Sequence, residues 1–160
     1  MNTYLLIKTL HIVSSVLMVG TGFGSAFYLF FTNRTRSVPA IAAVSRLVVR
    51  ADWWFTTPAV IFQPLSGLWL AYAAGWAWST PWVAVSIALY VVAGLCWLPV
   101  VWIQVRLNRI ATDAAQHGLE VLPAPYWRLA RIWESLGYPA FIAMLAVYFL
   151  MVVKPDLSWS

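Results

Sequence analysis

The sequence predicts an all-α integral membrane protein: a four-helix bundle with an amphipathic lead-in helix before helix 2. Of the 160 residues, 62% are hydrophobic and only 9% are charged. A soluble domain, in which about 25% of residues are charged, needs far more charge to cover its surface. The mean hydropathy of +0.79 points the same way. Because each span takes about 20 apolar residues, the chain has room for one transmembrane domain, predicted over residues 1–160, and little else.

Four long apolar runs define the predicted spans. They cover residues 4–31, 53–74, 82–105 and 133–153. The stretch before the second span carries Arg46 and Arg50 on one helical face, and its apolar residues recur at helical spacing (Ile41, Val44, Leu47 and Val48). This stretch is the predicted lead-in helix. Residues 106–135, between the third and fourth spans, are predicted to form a polar connection.

The second span contains two prolines, Pro58 and Pro64. A proline inside a helix has no N–H to donate, so the carbonyl four residues earlier loses its partner. The carbonyls of Trp54 and Val60 are therefore predicted to lack intrahelical partners. Polar side chains close in sequence are the expected substitutes, namely Thr56, Thr57 and Gln63.

Charge asymmetry predicts the orientation of the chain. Eight arginines fall in the two connections on one side: Arg34, Arg36, Arg46, Arg50, Arg106, Arg109, Arg128 and Arg131. The other side has only Lys8 and Lys154. The positive-inside rule then places both arginine-rich connections in the cytoplasm and both termini outside. The same rule accounts for the net charge of +5. The expected partner is the lipid bilayer, and nucleic acid is not expected to bind.

Two ionisable residues lie inside the first span, where such groups are costly and point to function. His11 lies about 10 Å below the outer edge, and Lys8 lies one turn above it on the same face. That face continues with small residues, which leave room for a neighbouring helix or a flat cofactor; its members are Ser14, Ser15, Met18, Gly22 and Ser25.

Two interpretations of His11 stay open at this point. Neutral imidazole is the commonest metal ligand, so His11 is a candidate haem or metal ligand, with Ser14 or Ser15 as candidate hydrogen-bond partners for its second nitrogen. Alternatively, His11 hydrogen-bonds to a neighbouring helix and Lys8 extends to the outer surface. Gly20 and Gly24 form a GxxxG pattern, which favours a homo-oligomer or a membrane protein partner.

Three short motifs resemble the HemJ-type protoporphyrinogen oxidases, which are small four-helix membrane proteins of bacteria. They are KTLHIV at residues 8–13, FTTPA at 55–59 and VVKP at 152–155. More closely, ADWWFTTPA at 51–59 and CWLPVVW at 96–102 resemble a bacterial family of predicted integral membrane proteins of unassigned function. That family is similar to HemJ and to the membrane domain of the copper-resistance protein CopD.

The HemJ resemblance implies a haem b cofactor with His11 as an axial ligand, and it places Lys8 beside a haem propionate. HemJ-type third helices carry a histidine and a lysine linked to activity, and the third span here has neither. This departure argues against the oxidase activity. Tyr90 lies eight residues into the third span, at about the depth of His11, and is the candidate second cofactor-binding residue. The alternative is that its ring packs in the core and its hydroxyl bonds to a backbone carbonyl.

The sequence thus predicts a haem b-binding membrane protein in electron transfer or oxidoreductase chemistry, and leaves open whether it is an enzyme. The alternative is a non-catalytic membrane subunit, a partner-binding bundle or a copper-uptake protein. At the cytoplasmic end, Arg50 with Asp52 and Arg131 with Glu134 predict a charge network. The alternative is a proton entry or substrate-orienting site; the resemblance favours Glu134 for it, because HemJ-type fourth helices begin with an Asn-Glu pair, although Trp133 replaces the asparagine here. His117 is predicted to be solvated.

Overall fold

The computed structural model describes residues 2–155, and helices make up nearly all of them. The described part has five α-helices and no strand: α1 (Thr3–Arg34), α2 (Val38–Ala51), α3 (Thr57–Ala73), α4 (Pro81–Gln116) and α5 (Ala124–Val153). A π-helical turn, Asp52–Thr56, joins α2 to α3. The end of the predicted C-terminal tail, after Pro155, lies outside the described residues. The all-α bundle with a lead-in helix is confirmed.

Three helices in the described part are long and apolar enough to cross a membrane, namely α1, α4 and α5. The second predicted span is built differently. α3 has only 17 residues, and it reaches the length of the predicted span 53–74 only together with the π turn before it. This span therefore continues directly from the lead-in helix α2, without a loop between them.

The lead-in helix α2 is amphipathic, as predicted. Its N-terminus is capped by Ser37, whose side chain accepts a hydrogen bond from the Ala40 N–H. The helix buries one face, formed by Val38, Ile41, Ala42, Ser45 and Val48. Arg46 and Arg50 are exposed on the other side. Of the apolar residues at helical spacing, Ile41 and Val48 are buried, whereas Leu47 is 61% exposed.

The polar connection predicted for residues 106–135 is mostly helical, which corrects the sequence analysis. α4 continues to Gln116 and α5 begins at Ala124. The physical reason is a buried apolar core at the arginine-rich end of the bundle, which no single segment reveals. α2 packs there against the extended end of α4, which packs in turn against α5, and the core includes Ile41, Val48, Leu107, Ala111, Ala114, Leu122, Tyr126 and Ala130.

A buried hydrogen bond ties α5 to the end of α1 in this core. Tyr126 is fully buried, and its hydroxyl donates to Asn33 Oδ1 at 2.7 Å. Asn33 is itself 5% exposed. Two polar groups are thus removed from solvent together, and each reduces the cost of burying the other.

The backbone hydrogen bonding of the second span departs from the regular α-helical pattern at its two prolines. Before Pro58 the chain forms the π turn, in which the Thr57 N–H bonds to the Asp52 carbonyl five residues earlier. Farther along α3, Pro64 frees the Val60 carbonyl, and the Tyr90 hydroxyl of α4 donates to it at 2.6 Å. The free carbonyl at Val60 is therefore confirmed. Its expected local partners were wrong, because the donor comes from another helix.

We expect Tyr126→Phe to lower the free energy of unfolding by about 1–2 kcal/mol, because it leaves the buried Asn33 side chain without its donor. Thermal unfolding of the detergent-solubilised protein measures the loss. Tyr138→Phe is the matched control, since Tyr138 lies on the same helix and is 62% exposed. Equal unfolding temperatures for the two variants would contradict the role given to Tyr126.

We expect Tyr90→Phe to destabilise the protein by about 1–2 kcal/mol, and to cost less in a Pro64→Ala background. Alanine at position 64 supplies the N–H that the Val60 carbonyl lacks, so the tyrosine becomes partly redundant. A double-mutant cycle followed by chemical unfolding measures this coupling. Strictly additive effects of the two substitutions would show that the hydroxyl does not substitute for the proline's missing donor.

Candidate functional site

His11 packs against one face of α3, in the half of the bundle away from the arginines. The ring is half-buried, and its Nδ1 lies 2.7 Å from Ser66 Oγ. Gly67 allows this approach, since a Cβ at that position would lie only 3.2 Å from His11 Cε1. On the same face, Gln63 Nε2 donates to the His11 carbonyl at 3.1 Å. Contacts with Gln63, Ser66 and Gly67 therefore hold His11 to α3.

The hydrogen bonds of Ser66 determine the tautomer of His11. Ser66 Oγ lies 2.7 Å from the Phe62 carbonyl, which can only accept, so the hydroxyl proton points there. Ser66 Oγ must then accept from His11, and in the neutral ring the proton sits on Nδ1. His11 Nε2 carries the free lone pair, and it makes no hydrogen bond within residues 2–155. This is the form of histidine that ligates metals.

A hydroxyl does contact the His11 ring, as expected, but it belongs neither to Ser14 nor to Ser15. Ser15 donates to the Ile12 carbonyl, and Ser14 Oγ is buried without a hydrogen bond in the described part of the chain. The actual partners, Ser66 and Gly67, lie seven to eight residues before the outer end of the second predicted span. Their depth matches that of His11, and this is the one signal in the sequence that pointed to them.

The other two predicted cofactor-binding residues are not brought to the His11 ring. Lys8 is exposed one turn above it on α1. Tyr90 donates its hydroxyl to Val60 and lines a separate cavity, which His11 does not line. Within residues 2–155, no three histidine, cysteine, aspartate or glutamate side chains form a group that could hold a metal ion.

This cavity, of about 420 Å³, lies between α1, α3, α4 and α5. It exists because small residues of three helices face it: Gly22, Ala26, Ala93, Gly94, Gly137 and Ala140. Aromatic rings form much of the remaining wall, including Phe27, Phe30, Trp97, Trp133 and Phe141. Met18, Gly22 and Ser25 also line it, so the small-residue face predicted for the first span does face an open space.

One end of the cavity is polar. Asp52 and Thr56 from the π turn and Gln104 from α4 are 4%, 3% and 5% exposed. Their Oδ2, Oγ1 and Oε1 atoms have no hydrogen-bond partner in the described part of the chain, although all three residues line the cavity.

The predicted charge network at the cytoplasmic end is not formed among residues 2–155. His117 Nδ1 lies 3.4 Å from Asp113 Oδ1 there, and both side chains are largely exposed, as expected for His117. Arg131 and Glu134 line a shallow surface depression without pairing. Asp52 is likewise unpaired, because it points into the bundle while Arg50 points out of it.

Comparison with known proteins gives the family and nothing finer. No curated protein and no solved structure matches the chain. One family model, described as a predicted integral membrane protein, matches residues 5–155, which is nearly the whole chain. The apolar helices described above agree with that description. The chain therefore belongs to the DUF2269 family of predicted integral membrane proteins.

Proposed function

We propose that this membrane protein binds haem b in the bacterial inner membrane, with His11 as an axial ligand, and serves in electron transfer or oxidoreductase chemistry. The observation that carries the proposal is the hydrogen bond from His11 Nδ1–H to Ser66. It leaves the lone pair on Nε2. The resemblance of KTLHIV to the first helix of HemJ-type proteins supports the same residue.

The residues around His11 fit an axial ligand. Metal-ligating histidines usually donate their second N–H to an acceptor that fixes the ring, and here Ser66 is that acceptor, itself oriented by the Phe62 carbonyl. Lys8, exposed one turn above, is placed to pair with a haem propionate near the outer surface. Haem bound there would supply reversible one-electron chemistry at its iron.

Tyr90 does not fit the role of second axial ligand that the sequence suggested. Its hydroxyl is engaged by the Val60 carbonyl, and it faces the cavity that His11 does not line. The proposal therefore rests on His11 alone. Protoporphyrinogen oxidation is not part of it, because the third span lacks the histidine and lysine of HemJ-type proteins.

A second candidate is a partner-binding bundle or membrane subunit, which one observation favours. Apart from their chain neighbours and the nearby backbone of α1 itself, no atom lies within 4 Å of where a Cβ would be on Gly20 or Gly24, and Gly20 is exposed. A GxxxG face left open in this way suits close packing against another transmembrane helix. In that case His11 serves only to hold α1 to α3.

Protein purified from haem-replete cells is expected to show a Soret band, and His11→Ala should abolish it while the protein still inserts. His117→Ala is the matched control, because this exposed histidine lies far from the His11 site in sequence and should leave the spectrum unchanged. Ser66→Ala should weaken haem retention by about ten- to a hundredfold. A wild-type protein without a Soret band, or an unchanged spectrum in His11→Ala, would overturn the proposal and favour the second candidate.

We also propose that both termini lie outside the cytoplasm, as the distribution of arginines suggests. Reporter fusions that are active only in the periplasm measure this in a bacterial host. A fusion at the C-terminus should be active, and one inserted in the turn at residues 116–119 should be silent. The reverse pattern would contradict the assigned orientation.

A further inference from the structure

The polar end of the 420 Å³ cavity is incomplete within this chain. Burying a polar atom without a hydrogen bond is costly, so folded proteins rarely leave one unpaired. Here three such atoms, on Asp52, Thr56 and Gln104, line one cavity. We propose that the cavity binds a membrane-soluble phenol of the lipid hydroquinone class, with a ring hydroxyl that accepts a hydrogen bond from Thr56 and donates one to Asp52 or Gln104.

The three atoms select a hydroxyl group. Gln104 Oε1 and the ionised Asp52 Oδ2 accept hydrogen bonds, while the Thr56 hydroxyl can both donate and accept. A ligand hydroxyl matches this set, because it donates one bond and accepts another. A phosphate or carboxylate head would bring negative charge beside Asp52 and Glu134, which also lines the cavity.

The rest of the cavity selects an apolar, flat body. Six glycines and alanines from three helices leave a slot between them, and aromatic rings flank it. Aromatic side chains prefer offset-stacked or edge-to-face contact with another ring. The volume lies within the range of about 300–1,000 Å³ typical of small-molecule sites.

The route into the cavity starts in the bilayer. Large side chains at its rim are more than 40% exposed, where lipid surrounds the bundle: Phe23, Phe27, Tyr138 and Ile142. An ionic head would have to be dehydrated to pass this apolar rim, which favours an uncharged ligand. A lipid acyl chain could also enter, but it would leave all three buried polar atoms unpaired. A phenol fits the rim and the polar end together.

The proposal is independent of haem binding. His11, Ser66 and Gly67 do not line the cavity. Loss of haem on replacing His11 and loss of phenol on changing the cavity are therefore separate results. Either site can fail its test without affecting the other.

The test measures retention of a labelled decyl-substituted hydroquinone by the full chain in lipid nanodiscs, with empty nanodiscs as the partition control. We expect saturable retention above that control. The same probe with both hydroxyls methylated should bind about tenfold more weakly, because it can no longer donate. Equal binding of the methylated probe, tighter binding of a decyl ammonium probe, or no retention above empty nanodiscs would overturn the proposal.

Two matched pairs of variants locate the binding. Gly22→Leu fills the cavity and should abolish retention, whereas Gly20→Leu, on the same helix but away from the cavity, should not. Thr56→Val should weaken binding about five- to tenfold, while Ser14→Ala, which removes another buried unpaired hydroxyl outside the cavity, should leave it unchanged. Thermal unfolding confirms that each variant folds. Unchanged binding in folded Gly22→Leu or Thr56→Val protein would place the ligand elsewhere.

Discussion

The constraint on which the structure depends is that every backbone polar group in lipid needs a partner from the protein. Two prolines in the second span each remove a backbone N–H, and the structure compensates for each in a different way. At Pro58 the helix widens into a π turn, and at Pro64 the Tyr90 hydroxyl of α4 reaches the freed Val60 carbonyl. The hydrogen bond from Tyr90 to the Val60 carbonyl also links α4 to α3.

The π turn has a consequence for function. π turns are often found at functional sites, because the extra residue changes which side chains point inward. Here Asp52 and Thr56 both belong to the turn and are buried at the polar end of the cavity. The π turn that precedes Pro58 thus also supplies two of the three cavity-lining polar groups that have no hydrogen-bond partner within residues 2–155.

The two candidate sites use α1 at different depths and on different neighbours. Toward its N-terminus, His11 is held to α3 by Ser66 and Gly67, which is a close-packed contact. Farther along, Met18, Gly22 and Ser25 face the open cavity, and α1 meets α5 chiefly through the stacked rings of Phe23 and Phe141, 4.9 Å apart. α1 is thus packed closely against α3 near His11, and it borders an open cavity farther along.

The sequence by itself determined the class of protein, the lead-in helix and the freed Val60 carbonyl of the second span, because hydropathy, helical periodicity and proline chemistry are all local properties. The extension of α4 and α5, the Tyr90–Val60 bond, the Ser66 partner of His11 and the polar end of the cavity were decided only by the tertiary structure. Each joins residues at least 30 positions apart or depends on an apolar core that several helices build together. A local sequence pattern does not predict such contacts, because the partner of a buried polar group depends on which helices pack against each other.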